Sequence, residues 1–250
     1  PRLATGAICA GGTLGILIPP SVTLILYGIA TETSIGRLFL AGVVPGAALT
    51  TIFAVYAWAA SIRDLRANPQ PVERFTLAEK MEGLVRVLPF LVIIAAVAVF
   101  MYGGFATPSE VAAIAAFLAL ALVLLIYRAW KPQDLWAIYR DTVRESTMIM
   151  MIIGAAALFS YMMSLLYVTQ TVADTLVSFE MNRWVLMVVI QVLLLLAGCF
   201  LPPVAIILML MPILQPVLEV NGFDLIWFGI LLTINLEIGL ITPPVGLNLY

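Results

Sequence analysis

The phrase Gly-x-x-x-Pro-Pro occurs twice, at Gly15-Ile16-Leu17-Ile18-Pro19-Pro20 and at Gly239-Leu240-Ile241-Thr242-Pro243-Pro244, each time inside a stretch apolar enough to cross a membrane. Tandem prolines end a helix, because each lacks an amide donor and the second drives the first out of the helical region of backbone space. In hydrocarbon the carbonyls released in this way have no water to meet. Irregular backbone survives there only where protein or a wet cavity satisfies it, and two such breaks in corresponding places point to the binding site of a transporter.

Composition fixes the setting of these breaks. Hydrophobic residues make up 63% of the chain and charged residues 10%, with a mean hydropathy of +1.12, far outside the range of a soluble domain. The fold class is therefore all-α, a polytopic membrane protein. A net charge of -2 and the lack of a basic stripe exclude nucleic acid as a partner, and the absence of histidine removes the commonest transition-metal ligand and proton shuttle. Cys9 and Cys199 both lie in apolar segments and read as small packing residues. The chain starts at Pro1 without a methionine and stops at Tyr250 within an apolar run, so it reads as part of a longer protein.

Apolar runs of spanning length occur at about residues 3 to 30, 38 to 60, 86 to 106, 109 to 127, 146 to 167, 184 to 218 and 225 to 250. The run from 184 to 218 is too long for one span and is interrupted by Gly198 and Leu201-Pro202-Pro203. It is expected to be a re-entrant hairpin, down as Trp184 to Ala197 and back as Val204 to Val217. The division that follows is 1–30 as a first broken helix, 31–145 as scaffold and connecting helices, and 146–250 as a second repeat with the hairpin and a second broken helix from 225. Of the twelve Lys and Arg, Arg63, Arg66, Arg74, Lys80 and Arg86 lie between the second and third runs, and Arg128, Lys131, Arg140 and Arg144 between the fourth and fifth. Those loops are expected to be cytoplasmic. The two Pro-Pro segments then run in opposite directions, as an inverted-repeat transporter requires.

Local chemistry marks other boundaries. Thr107-Pro108-Ser109-Glu110 is a capping box with proline at the first helical position, which makes Glu110 a cap carboxylate. Asp134 to Glu145 mixes charges with Leu135, Trp136, Ile138 and Tyr139 and is expected to be an interfacial amphipathic helix. Gly42 and Gly46 have small-xxx-small spacing and predict close helix packing.

The candidate site residues surround the two breaks. Gly11, Gly12 and Gly15 would let backbone approach another element closely, and Thr13 and Ser21 add hydroxyl oxygens; a kinked, glycine-packed helix is the plainer alternative. Around the second break stand Asn235, Glu237, Gly239, Thr242 and Asn248. Glu237 is the one acidic residue well inside an expected span, where a charge costs about 2.5 to 3.5 kcal/mol. It either binds a cation or proton directly or accepts hydrogen bonds from freed backbone amides. Carbonyls at a helix break suit sodium, and a helix start suits a carboxylate. Aligning the Pro-Pro pairs sets Gly15 on Gly239, Thr13 on Glu237 and Gly11 on Asn235, two half-sites alike in backbone and unlike in polar decoration. The tip Gly198-Cys199-Phe200-Leu201-Pro202 should meet the second break. An intramembrane protease would need a nucleophile with a base, or paired aspartates, at membrane depth, and neither is present. A scaffold without its own site would not need two breaks.

Gly11-Gly12-Thr13 to Ser21, Tyr27 to Gly46, Ala106 to Glu110 and Asn235 to Tyr250 resemble, in register, the large membrane subunit of tripartite ATP-independent periplasmic (TRAP) transporters. The resemblance implies a sodium-coupled, elevator-type importer of organic acids such as C4-dicarboxylates or sialic acid, in the bacterial inner membrane. It also implies a periplasmic substrate-binding protein that delivers the acid and a small membrane subunit that completes the scaffold. By position it places sodium (Na+) at Gly11, Gly12, Thr13, Gly15, Asn235, Glu237, Gly239 and Thr242, and substrate at Pro20, Ser21, Gly198, Pro202, Thr242 and Pro244. The family often has Asp at the hairpin tip where this chain has Pro202, so no charged ligand is assigned there. The first hairpin of the family lies upstream of Pro1. A sodium- or proton-coupled anion carrier of similar architecture, working without a binding protein, is the alternative.

Overall fold

A computed structural model of the chain describes residues 2–67, 76–178, 182–243 and 246. Every regular element among the described residues is an α-helix: α1 (Arg2–Leu17), α2 (Val22–Ala30), α3 (Ile35–Ala67), α4 (Leu77–Tyr102), α5 (Pro108–Leu125), α6 (Pro132–Leu165), α7 (Val168–Ser178), α8 (Arg183–Gly198), α9 (Pro203–Val220) and α10 (Leu225–Ile241). Hydrocarbon leaves helices as the way for such a chain to pair its backbone within each segment. Six stretches are long and apolar enough to cross a membrane: 5–30, 35–63, 77–102, 108–125, 132–165 and 203–220. The protein is an all-α, multi-pass membrane protein.

Prolines sort by number. Single prolines lie within helices, Pro45 in α3, Pro89 in α4, and Pro212 and Pro216 in α9. Each removes one hydrogen bond, which a helix survives when neighbours repair it. The tandem pairs coincide with breaks: α1 ends at Leu17 before Pro19-Pro20, α8 and α9 are parted before Pro203, and α10 ends at Ile241 before Pro243.

The chain forms two compact units, Pro1–Ala57 with Met148–Tyr250, and Trp58–Thr147. The second unit is built on the pairing of α4 with α5. Both helices open on capping boxes. Thr107 Oγ1 accepts from the Glu110 amide at 3.4 Å while Glu110 Oε2 accepts from the Thr107 amide at 2.7 Å, as the sequence predicts. Thr76 and Glu79 repeat the device at the start of α4, with the same Thr-x-x-Glu spacing.

In the first unit α10 packs most extensively on α8, α2 on α9, α7 on α9, and α1 on α10. Their shared core holds Tyr27, Leu194, Ile206, Ile207, Met211, Phe228, Leu232 and Leu236, all nearly or fully buried. Tyr27 ties α2 to the start of α10, its hydroxyl donating to the Leu225 carbonyl at 2.6 Å. Gly229 makes room for that ring, since a Cβ there would lie 2.5 Å from it.

Where the sequence predicts the tip of a re-entrant hairpin, α8 and α9 are parted at Cys199–Pro202; α9 is long and apolar enough to cross a membrane. At 16 and 17 residues, α8 and α10 reach about 24 to 26 Å, short of the ~30 Å hydrocarbon core. The start of α8 and the turn after α9 meet in an aromatic cluster. Trp184 makes edge contacts with Phe223 and Trp227, and the Arg183 guanidinium lies 5.0 Å from the Trp184 ring centre. Both arms therefore open at one level.

The stretch from Asp134 to Glu145, expected as an interfacial helix, is helical and forms the first part of α6, a continuous 34-residue helix. No glycine or proline stands between Pro132 and Gly154 to stop it, and Thr142 folds its hydroxyl onto the Ile138 carbonyl at 2.8 Å instead of interrupting the ladder.

Candidate functional site

At the first break the prolines orphan particular carbonyls. Ile16 O would pair with the amide of residue 20, which is proline; the Ser21 hydroxyl donates to Ile16 O instead. Ser21 also caps α2, its Oγ accepting from the Leu24 amide at 3.3 Å. Thr242 does the matching work at the second break: its amide donates to Gly239 O at 3.1 Å and its hydroxyl to Ile238 O at 2.5 Å. Gly239 O is the carbonyl that Pro243 leaves without a partner. Both hydroxyls thus spend their protons on the helix end and have lone pairs left to offer outward. Thr13 is alike, buried, with its hydroxyl donating to Ala10 O at 2.9 Å. Such oxygens suit a cation better than a carboxylate.

α10 carries two polar side chains to two different neighbours. Asn235 and Glu237 are two residues apart, about 200° around a helix, so they face opposite sides. Asn235, Gly239 and Thr242 follow an i, i+4, i+7 stripe. Along it, Asn235 donates through Nδ2 to the Gln191 backbone oxygen at 2.8 Å and to Gln191 Oε1 at 2.7 Å, both on α8. One turn further, Gly239 meets Gly198: a Cβ on Gly239 would lie 2.8 Å from the Gly198 carbonyl carbon. The tip of the hairpin and the second break touch backbone to backbone, as the sequence predicts. Glu237 looks the other way, toward α1, with the Leu17 backbone near its carboxyl group. A buried carboxyl group on α10 thus lies close to the end of α1.

Two acceptors are left over. Asn235 Oδ1 and Glu237 Oε1 are buried and have no hydrogen-bond partner among the described residues; the residues are 9% and 5% exposed. A buried polar atom left alone costs about 1 to 3 kcal/mol, so the arrangement fits a positively charged guest or a proton. The donor set of carboxylate, amide and hydroxyl oxygens is that of a hard cation.

The glycines of the first break behave differently from those of the second. A Cβ at Gly11, Gly12 or Gly15 would meet nothing within 4 Å, which corrects the expectation that they permit close backbone approach among the described residues. α1 turns Thr13, Leu14 and Leu17 inward, and Gly11, Gly12 and Gly15 fall on its other side. Close approach at this break comes instead from α3. Gly42 lies against Leu17 O, 3.1 Å from a Cβ built there, and Gly46 against the Ile18 side chain, 3.2 Å, as their small-xxx-small spacing predicts. Gly11 lines a cavity of about 600 Å³ between α1 and α3 with Ala7, Leu14, Phe53 and Tyr56. Its walls are almost wholly apolar, and it does not include Asn235 or Glu237.

Pro20 and Pro202 are exposed at their turns, and Pro202 precedes α9 without a side-chain cap. Pro244 and Asn248 lie outside the described residues. Gln191 was not among the residues that the sequence singles out, although a lone amide within an apolar hairpin arm is the same kind of signal as Glu237.

Residues 1–250 match the family described as tripartite ATP-independent periplasmic transporter, DctM component. The chain belongs to the DctM family. It is 39% identical over 246 residues to the C4-dicarboxylate TRAP transporter large permease protein DctM of Pseudomonas aeruginosa, covering 98% of this chain and 57% of that protein. It is 32% identical over 248 residues to the sialic acid TRAP transporter large permease protein SiaM of Vibrio cholerae, covering 99% and 57%. The 2,3-diketo-L-gulonate TRAP transporter large permease protein YiaN of Escherichia coli is 32% identical over 248 residues, covering 97% and 56%. The chain spans somewhat over half the length of these relatives. The DctM family is one of transporter components, not of enzymes.

Proposed function

We propose that this chain forms part of a sodium-coupled importer of organic acids, working by an elevator movement in the bacterial inner membrane. A periplasmic substrate-binding protein hands over the acid and a small membrane subunit completes the scaffold. Sodium travels with the substrate and is held by oxygens on the two sides of α10: Glu237 and Thr13 on the side of α1, Asn235 and Thr242 on the side of α8, with helix-end carbonyls around them. The acid occupies the tip of the hairpin near Gly198, Pro202 and Ser21.

The observation that carries this reading is the pair of buried acceptors on α10 without a partner among the described residues, Glu237 Oε1 and Asn235 Oδ1, on a helix that packs on α1 and whose end meets the hairpin tip at Gly198. Relatives named for dicarboxylate, sialic acid and diketogulonate support a carboxylate as cargo, and the words tripartite and periplasmic in the family description support the two partners. Sodium gives the coupling its purpose. Each net positive charge carried inward contributes about 2.3 kcal/mol per 100 mV, roughly fiftyfold accumulation, which offsets the repulsion of an anion by an inside-negative potential.

The test is uptake of labelled C4-dicarboxylates and sialic acid by liposomes that contain the full-length protein and its small subunit. Uptake is expected to need both an inward sodium gradient and the binding protein. Uptake driven equally well by a proton gradient, or without the binding protein, supports the other carrier reading and contradicts this one.

A further inference from the structure

The polar contact across the α8–α10 seam has a fixed chemistry. A backbone carbonyl can only accept, so Asn235 must turn Nδ2 toward Gln191 O, 2.8 Å away. The second Nδ2 proton then points to the Gln191 side chain, which must answer with an oxygen; Oε1 stands at 2.7 Å. Gln191 Nε2 is left facing Met187 Sδ at 3.7 Å. One residue therefore consumes both donors of Asn235, and Asn235 Oδ1 remains as a pure acceptor, buried and without a partner among the described residues.

We infer that Gln191 is a positioning residue for cation binding: it locks the Asn235 amide so that only Oδ1 is presented to the transported cation. The inference rests on the sodium-coupled reading above and adds to it a residue on the hairpin arm. An amide with a free N–H near the site would repel a cation, and an amide held by both its N–H bonds cannot turn to do so. The same bonds carry information to the hairpin. A cation on Oδ1 draws electron density through the amide and strengthens both Nδ2 donations, so loading tightens α10 against α8 one turn from the Gly198–Gly239 contact. Gln191 thereby couples cation occupancy to closure of the hairpin tip.

The experiment follows uptake against sodium concentration for the full-length transporter with its small subunit and binding protein, comparing wild type with Gln191→Leu, Gln191→Met and Gln191→Glu. Leucine and methionine remove Oε1, and either serves if the other does not fold. Loss of one hydrogen bond that orients the ligand is expected to raise the half-maximal sodium concentration about tenfold, with the maximal rate at saturating sodium nearly kept. Glutamate keeps an oxygen toward Nδ2 and is expected to stay within about threefold of wild type. A residue that only packs the seam would lower the maximal rate and leave the sodium dependence where it was. That result, or Glu and Leu variants that shift together, overturns the inference. Wild-type uptake indifferent to sodium would instead bring down the sodium-coupled reading and this inference with it.

Discussion

Gly239 and Gly198 touch, yet they are not equivalent. A Cβ on Gly198 would sit 3.4 Å from Gly239 Cα, an ordinary contact, whereas a Cβ on Gly239 would sit 2.8 to 3.0 Å from three backbone atoms of Gly198. Gly239→Ala is therefore expected to destabilise by about 1 to 3 kcal/mol. Gly198→Ala should be close to neutral, since alanine is the better helix former. Thermal unfolding of the two variants in detergent checks the asymmetry; equal effects would mean that the backbones do not meet in this way. Ser21→Ala leaves Ile16 O without a partner and α2 without a cap, and is expected to cost about 1 to 3 kcal/mol. Ser21→Thr should restore most of that stability in the same assay.

At the scale of elements, the breaks and the hairpin turn are legible in the sequence because proline chemistry is local. Pro19-Pro20, Pro202-Pro203 and Pro243-Pro244 stop helices whatever surrounds them, and the Thr107 capping box declares the start of α5 for the same reason. Thr107→Ala is expected to destabilise the start of α5 by about 1 kcal/mol without changing transport rates. An altered cation dependence in that variant would assign Glu110 to the transport site. Relations between elements were harder to read. The side of α1 that faces inward depends on what packs against it, so Gly11, Gly12 and Gly15 looked like contact residues when Thr13 and Leu17 hold that place. Asn235 and Glu237 lie on one stretch of sequence, and only the 200° between them shows that they serve different partners. Gln191 escaped because its role depends on an amide 44 positions away. The continuity of α6 is not declared by any single residue, because its sequence changes from charged to apolar near Glu145 while nothing interrupts the backbone.

On the scale of the whole molecule, tandem prolines end α1 and α10, and side chains close most of the damage they cause. Ser21 and Thr242 repair orphaned carbonyls, Gly42 and Gly239 admit neighbouring backbone, and Gln191 holds Asn235. Among the described residues, what these repairs leave unsatisfied is small and specific: two buried oxygen acceptors on α10, one on the side of α8 and one on the side of α1. The proposed importer stands on Glu237 binding the coupling cation. The most direct test is co-transport of radiolabelled sodium with the organic acid in liposomes, for wild type and for Glu237→Gln, which keeps the size but removes the charge and replaces one acceptor oxygen with an N–H donor. The account predicts that sodium enters together with the acid in wild type and that the variant loses at least tenfold in sodium-driven uptake while remaining folded. Acid uptake without accompanying sodium, or a Glu237→Gln protein with unchanged sodium entry, would contradict it.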